Sequence, residues 1–151
     1  MCHVIEFKGR LEKDALTIPL AELLLEKTQI IRMNEKDYKD LIILLLEHAV
    51  GDHDDETINV DRITEIISRD WGFYYTTAQN LRNLRDALPR FPTCTVEQRD
   101  IVTGRVDQLL DAIERAPKSL KWRMRSKLGT KVKWYNEVEE VERAEHLVEE
   151  T

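Results

Sequence analysis

Residues Ile58–Leu88, INVDRITEIISRDWGFYYTTAQNLRNLRDAL, form the most informative run of this sequence. Apolar residues recur at helical spacing in two blocks of this stretch, and Gly72 lies between the blocks. Because glycine readily adopts the left-handed conformation that ends many helices, we predict that the first helix ends there. The sequence thus predicts two amphipathic helices, at 60–71 and 77–88, joined by an aromatic turn over Gly72–Thr76.

Residues with capping side chains mark the starts of several helices. Asparagine and threonine accept a hydrogen bond from a free amide of the first turn, and a polar residue three positions later can return one. Four such pairs occur: Asn34 with Asp37, Thr76 with Gln79, Thr95 with Gln98, and Asn136 with Glu139. With apolar stripes at 19–32 and 38–49, they predict a mainly α fold, a compact bundle of six or seven helices in a single domain over 1–151. The apolar run Leu41–Leu46 places the second helix at the centre of the core.

The C-terminal part of the chain divides into a basic segment and an acidic one. Residues 118–135 fit either a helix or a basic hairpin, and Pro117 favours the helix because proline suits a helix start. Residues 137–151 are predicted to form an acidic helix. The basic segment has no acid between its cations, which are Lys118, Lys121, Arg123, Arg125, Lys127, Lys131 and Lys133. The acidic helix can pair with these cations, shield them until a partner displaces it, or leave them to a ligand.

The composition bounds the class of protein. Of the 151 residues, 42% are hydrophobic and 34% are charged, which is typical of a folded domain rather than a disordered chain. No apolar run is long enough to span a membrane, and Cys2 and Cys94 are too few for a disulfide framework. We therefore expect a cytoplasmic protein without membrane association.

The N-terminal extension, residues 1–18, has no apolar leader of the secretory kind. Its β-branched residues make His3–Phe7 a candidate strand, and Ala15–Ile18 is a candidate partner strand. Together they predict a possible short β-ribbon at the N-terminus, which would need to lie on the helices to be stable.

The three helices predicted at 38–49, 60–71 and 77–88 resemble a helix-turn-helix domain over residues 38–88. Such domains place the second helix of the pair in the major groove of double-stranded DNA. The turn predicted here is longer than the three or four residues usual in that family.

This resemblance implies that polar residues of the helix at 77–88 lie near DNA, since amide and guanidinium groups read base edges. Those residues are Gln79, Asn80, Arg82, Asn83 and Arg85. The basic segment would support the contact by neutralising phosphates through Lys121, Arg123, Arg125, Lys127, Lys131 and Lys133. The alternative is that Leu81, Leu84 and Leu88 pack into the bundle while the polar residues are merely solvated.

The sequence contains no motif typical of catalysis, so we expect a protein that is not an enzyme and needs no cofactor. The acidic stretch GDHDDET at 51–57 does not match a calcium-binding loop, because Thr57 stands where glycine is needed, and no metal is expected there. The predicted function is a small regulatory protein that binds DNA. The alternative is a helical adaptor that engages another protein through its aromatic and charged C-terminal segments.

Overall fold

The computed structural model describes residues 2–10 and 18–137, and six α-helices lie within them. The helices are α1 (Leu20–Thr28), α2 (Glu35–Glu47), α3 (Val60–Ile67), α4 (Trp71–Ala87), α5 (Val96–Arg115) and α6 (Leu120–Ser126). Short 3-10 turns follow α4 at Leu88–Arg90 and α6 at Gly129–Lys131. The prediction of a mainly helical bundle is confirmed. The acidic helix predicted at 137–151 lies outside the described residues except for Glu137.

Two helices, α4 and α5, form the centre of the bundle. Helix α4 packs against α1, α3, α5 and α6, while α5 packs against α2, α3 and α4. The prediction that α2 lies at the centre is wrong. Leu41 and Leu45 of α2 are buried, but Ile43 keeps 54% of its surface exposed, so one side of this helix faces solvent.

The β structure of the described residues lies in the loop between α2 and α3. Strand β1 (Val50–Gly51) pairs in parallel with β2 (Ile58–Asn59), with Val50 opposite Ile58. His3–Phe7 is not a strand, and residues 15–17 of its predicted partner lie outside the described part of the chain. The N-terminal segment is instead held by side-chain contacts to the helices.

The boundary between α3 and α4 differs from the sequence prediction. Helix α3 ends at Ile67 and α4 begins at Trp71, so the predicted turn Gly72–Thr76 is wrong and these residues belong to α4. The Asp70 side chain accepts a hydrogen bond from the Phe73 amide at 3.1 Å and caps the helix. Gly72 is required for space rather than for a left-handed turn, because a Cβ atom there would lie 2.6 Å from the Trp134 carbonyl oxygen.

Other helix boundaries agree with the capping side chains. Asn34 with Asp37 and Thr95 with Gln98 form reciprocal capping boxes at the starts of α2 and α5. The basic segment forms a helix rather than a hairpin, and Ser119 caps it by accepting a hydrogen bond from the Trp122 amide. This helix ends at Ser126, three residues before the predicted stop at Gly129.

We predict that Leu45→Ala lowers the free energy of unfolding by about 2–5 kcal/mol, because a fully buried leucine leaves a cavity when truncated. Ile43→Ala on the exposed side of the same helix is the matched control and should change it by about 0.5 kcal/mol or less. Urea denaturation of both variants measures the difference. Equal midpoints for the two variants would contradict the packing of α2.

We also predict that Thr95→Ala lowers the free energy of unfolding by about 1 kcal/mol, since the Gln98 amide loses its acceptor. Thr93→Ala, two residues upstream and exposed, should leave stability unchanged. Thermal denaturation distinguishes the two, and a larger effect at Thr93 would refute the assigned cap.

Candidate interaction surface at the C-terminal helix

Asn80 shows why α4 does not present the polar face predicted for it. The side chain of Asn80 is buried and donates hydrogen bonds to the carbonyl oxygens of Thr28 at 2.8 Å and Ile30 at 2.6 Å. It thereby satisfies backbone groups where the chain leaves α1. The prediction that the Asn80 side chain faces solvent is wrong, because α1 covers this side of α4.

The two arginines predicted on the same helix are paired with acids of α5. Arg82 contacts Glu114 at 3.2 Å, and Arg85 contacts Asp107 at 2.8 Å. The Tyr74 hydroxyl also donates to Glu114, and burial together with this bond raises the pKa of Tyr74 to about 12. These side chains bridge α4 and α5 at their half-exposed edge.

The Gln79 side-chain amide donates a hydrogen bond to the Asn83 side-chain oxygen at 3.0 Å. Gln79 is exposed and Asn83 is half-buried. Of the five residues of α4 predicted to lie near DNA, Asn80 is buried, Gln79 is exposed, and the two arginine side chains each keep 40% of their surface exposed.

The cations of the basic segment form two groups. One group makes hydrogen bonds or ion pairs with other residues of the described chain, and the other makes no such contact. Arg125 donates to the carbonyl oxygens of Gly129 at 2.8 Å and Val132 at 2.7 Å, and its guanidinium lies 4.8 Å from the centre of the Trp71 ring. Lys118 donates to carbonyl oxygens at the C-terminus of α5. Lys133 pairs with Glu137. Their charges are committed to local structure.

The remaining cations are exposed, and their side chains make no ion pair or hydrogen bond with any residue in the described part of the chain. They are Lys121, Arg123, Lys127 and Lys131. Large apolar side chains alternate with them along the chain. The exposed fractions are 75% for Leu120, 64% for Met124, 50% for Leu128 and 48% for Val132. We call these eight residues the C-terminal ridge.

The ridge is unusual for its concentration of apolar surface. Four of the eight large apolar side chains exposed among the described residues lie within it. Leu120 and Met124 are four residues apart on one face of α6, and Leu128 follows after another four where the backbone is still right-handed helical. A cluster of this kind typically marks an interaction surface, whereas single exposed apolar residues do not.

The opposite side of α6 fixes the ridge to the bundle. Trp122 packs edge-on against Tyr74 with ring centres 5.0 Å apart, and Arg125 covers Trp71. The Ser119 amide donates to the Ser68 carbonyl oxygen at 3.0 Å, which joins the start of α6 to the end of α3. These contacts direct the apolar residues of the ridge outward.

A second set of contacts fixes the chain beyond α6. Trp134 packs against Trp71 and Tyr75, and its indole Nε1–H donates to the Thr76 hydroxyl at 3.1 Å. A cleft of about 230 Å³ separates this tryptophan from α6, and Lys121 lines the same cleft. The chain therefore passes beside the ridge before it reaches Glu137.

His3 meets this cluster from the N-terminal side. Its ring stacks on Phe73 with ring centres 4.8 Å apart, and Nε2 lies 3.0 Å from the Thr76 hydroxyl. Because that hydroxyl donates to the Gly72 carbonyl, the proton of the neutral imidazole is assigned to Nε2. Burial lowers the pKa of His3, and the nearby Asp70 charge opposes this only in part.

A buried network of ion pairs joins the N-terminal segment to α1 and α3. Glu22 on α1 is buried and accepts hydrogen bonds from Arg10 at 2.5 Å and Arg62 at 2.9 Å, while Arg10 also binds Asp54. Burial by itself would raise the pKa of Glu22, but the two guanidinium groups hold it below its ordinary value. We interpret this network as structural, since the Glu22 carboxylate is paired with the Arg10 and Arg62 guanidinium groups inside the protein.

The acidic loop at 52–57 contributes Asp54 to that network. No group of three side chains suited to a metal ion occurs among the described residues. No helix within residues 2–10 and 18–137 is long and apolar enough to cross a bilayer.

Comparisons of the chain with family models, with curated proteins and with solved structures find no match.

Two features of this surface are missing from the sequence prediction. The spacing of Leu120, Met124 and Leu128 is itself a helical stripe, so the ridge had a signal in the sequence. The cluster of His3, Thr76 and Trp134 had no signal in the sequence, because these residues are far apart in the chain. They meet only when the N-terminal segment and the residues after α6 fold onto α4.

We predict that His3 makes stability depend on pH. The native imidazole has a pKa below the ordinary 6.5, so as pH falls below about 6.5 the unfolded chain takes up a proton that the native state resists. The contribution of His3 to the free energy of unfolding is complete above that pH and is lost as the pH falls. Urea denaturation at several values between about pH 7.5 and pH 5 gives the free energy of unfolding as a function of pH. This free energy should fall less steeply on acidification in His3→Gln than in wild type. His53→Gln, in the exposed loop, should keep the wild-type pH dependence of the free energy of unfolding. The same pH dependence in all three proteins would contradict the role of His3.

Proposed function

We propose that this protein is a non-enzymatic adaptor that binds an acidic, apolar-anchored segment of another protein through the C-terminal ridge. The observation that carries the proposal is the alternation of exposed apolar side chains with exposed cations along α6 and the turn that follows it; none of these cations pairs with a described residue. A partner segment with leucine-sized residues four positions apart and carboxylates between them has the complementary pattern.

The two kinds of side chain make different contributions to such a contact. Burying a leucine-sized side chain contributes about 1.5–3 kcal/mol, whereas an exposed ion pair contributes about 0–1 kcal/mol. Leu120, Met124 and Leu128 therefore supply most of the affinity. The cations Lys121, Arg123 and Lys127 favour an acidic partner, accelerate the encounter and set its orientation.

The support of the ridge also favours binding. A surface that is ordered before the partner arrives loses less conformational entropy on association. Trp122 and Arg125 attach α6 to α4, and the Arg125 bonds to Gly129 and Val132 shape the turn after the helix. The ridge is thus suited to bind a segment without large rearrangement.

Double-stranded DNA is the second candidate ligand. The absence of acids within 118–133 favours it, because four exposed cations can neutralise phosphates. The turn between α3 and α4 is three residues long, within the range of helix-turn-helix proteins. The surroundings of α4 argue against base reading, since Asn80 is buried and Arg82 and Arg85 are paired with α5.

The proposal predicts that both components of the ridge matter for binding. Fluorescence anisotropy would measure binding of a labelled helical peptide that carries glutamates and leucines at four-residue spacing, beside a mixed-sequence DNA duplex. For the peptide, we expect Met124→Ala with Leu128→Ala to weaken binding at least tenfold, because apolar contact supplies most of the affinity. Lys121→Ala with Lys127→Ala should weaken it less and flatten its salt dependence.

Matched controls separate these effects from general changes in the surface. Val4→Ala with Val96→Ala removes exposed apolar groups elsewhere, and Lys36→Ala with Arg90→Ala removes exposed cations elsewhere. Neither control should alter peptide binding. Tight, steeply salt-dependent binding of DNA that is insensitive to the Met124 and Leu128 changes would favour nucleic acid. Failure to bind either ligand at micromolar protein would sink both candidates.

A further inference from the structure

We infer that acidic residues 138–150 of the same chain occupy the C-terminal ridge, so that a partner segment must displace them. This inference rests on the proposed function, because it assigns the regulation of the same surface. Three observations support it: the charges of the two segments, the place where the described chain ends, and the apolar residues in the acidic segment.

The charges of the two segments are complementary. The ridge presents four cations that have no partner within the described part of the chain, while residues 138–150 contain a single cation, Arg143, among six glutamates. The glutamates are Glu139, Glu140, Glu142, Glu145, Glu149 and Glu150. Each ion pair on a protein surface is weak, but several pairs formed by one tethered segment act together.

The described chain ends beside the ridge. Trp134 is held by Thr76, and the Asn136 amide donates to the Cys2 carbonyl oxygen at 3.1 Å, so the acidic residues start from a fixed point. Lys133 and Glu137 already pair at this point. Thirteen residues span roughly 43 Å when extended and roughly 20 Å as a helix. Either length exceeds the roughly 10 Å of the seven-residue helix α6.

The acidic segment also carries apolar residues that the exposed side chains of the ridge can cover. Val138, Val141 and Val148 are spaced as on one side of a helix, and Leu147 adjoins them. The segment therefore has the two properties that the proposed function requires of a partner, namely carboxylates and apolar anchors. A tethered segment with these properties competes with any external partner at high effective concentration.

The experiment compares three forms of the full-length chain. One is wild type. The second, the tail variant, has the six glutamates of residues 138–150 changed to glutamine. The third, the control variant, has the same change of net charge at exposed acids outside the ridge and the tail: Glu47→Gln, Asp52→Asn, Asp55→Asn, Glu56→Gln, Asp86→Asn and Asp100→Asn.

Two readouts are needed. Amide chemical shifts of residues 120–132 report contact with the ridge, and anisotropy of the labelled acidic peptide reports its availability. We expect the tail variant to shift these amides relative to wild type while those of α1–α5 stay in place. We also expect it to bind the peptide about tenfold more tightly than the control variant does. Raising the salt concentration of wild type should move the same amides toward their positions in the tail variant.

The outcomes separate this inference from the proposed function. If the ridge amides do not move and the tail variant binds the peptide no better than the control variant, the tail does not occupy the ridge, although the adaptor function stands. If the ridge amides move but none of the three proteins binds the peptide, the intramolecular contact stands and the adaptor function is refuted.

Discussion

The burial of α4 among four other helices governs how the other elements of this protein are arranged. Helices α1, α3, α5 and α6 each cover part of its surface, so even its polar side chains meet protein. Asn80 becomes a partner for two carbonyl oxygens, and Arg82 becomes a bridge to Glu114. A buried polar group is costly unless it is hydrogen-bonded, and the two bonds of Asn80 remove that cost. The same packing leaves α4 little surface for a ligand, which is why α6 offers the better candidate site.

A second constraint lies on the other side of the bundle, where Glu22 is buried between Arg10 and Arg62. A carboxylate out of water is destabilising by itself, but two guanidinium groups satisfy its oxygens and lower its pKa. Because Arg10 and Arg62 belong to different parts of the chain, the charge of Glu22 joins the N-terminal segment and α3 to α1. Asp54 extends this connection to the loop after α2. The network therefore adds ionic contacts to segments outside the helices, beside the apolar contacts of Ile5 and Phe7.

Both ends of the described chain converge on the first turns of α4. His3 stacks on Phe73, Trp134 donates to Thr76, and Cys2 accepts from the Asn136 amide. The close approach of Trp134 leaves no room for a side chain at Gly72. The result is a rigid base for the ridge, which is attached to the core through α6 and again through the chain that follows it. A surface supported at two places is ordered in advance, which favours the proposed adaptor function.

Sequence patterns predicted the mainly helical class, the reciprocal caps of α2 and α5, and the helical spacing of the residues that fill the core. These properties are local, since a cap or an apolar stripe involves residues within a few positions of one another. The start of α4 depends on tertiary contacts. A glycine can end a helix, but Gly72 lies inside α4 and leaves space for the Trp134 carbonyl group. The tertiary structure likewise decided that Asn80 is buried, that His3 and Trp134 share one hydroxyl, and that four cations of the basic segment make no ion pair with residues 2–10 and 18–137. The physical reason is that burial and pairing depend on which distant segments pack together, and this information is not present in the spacing of residues along one helix.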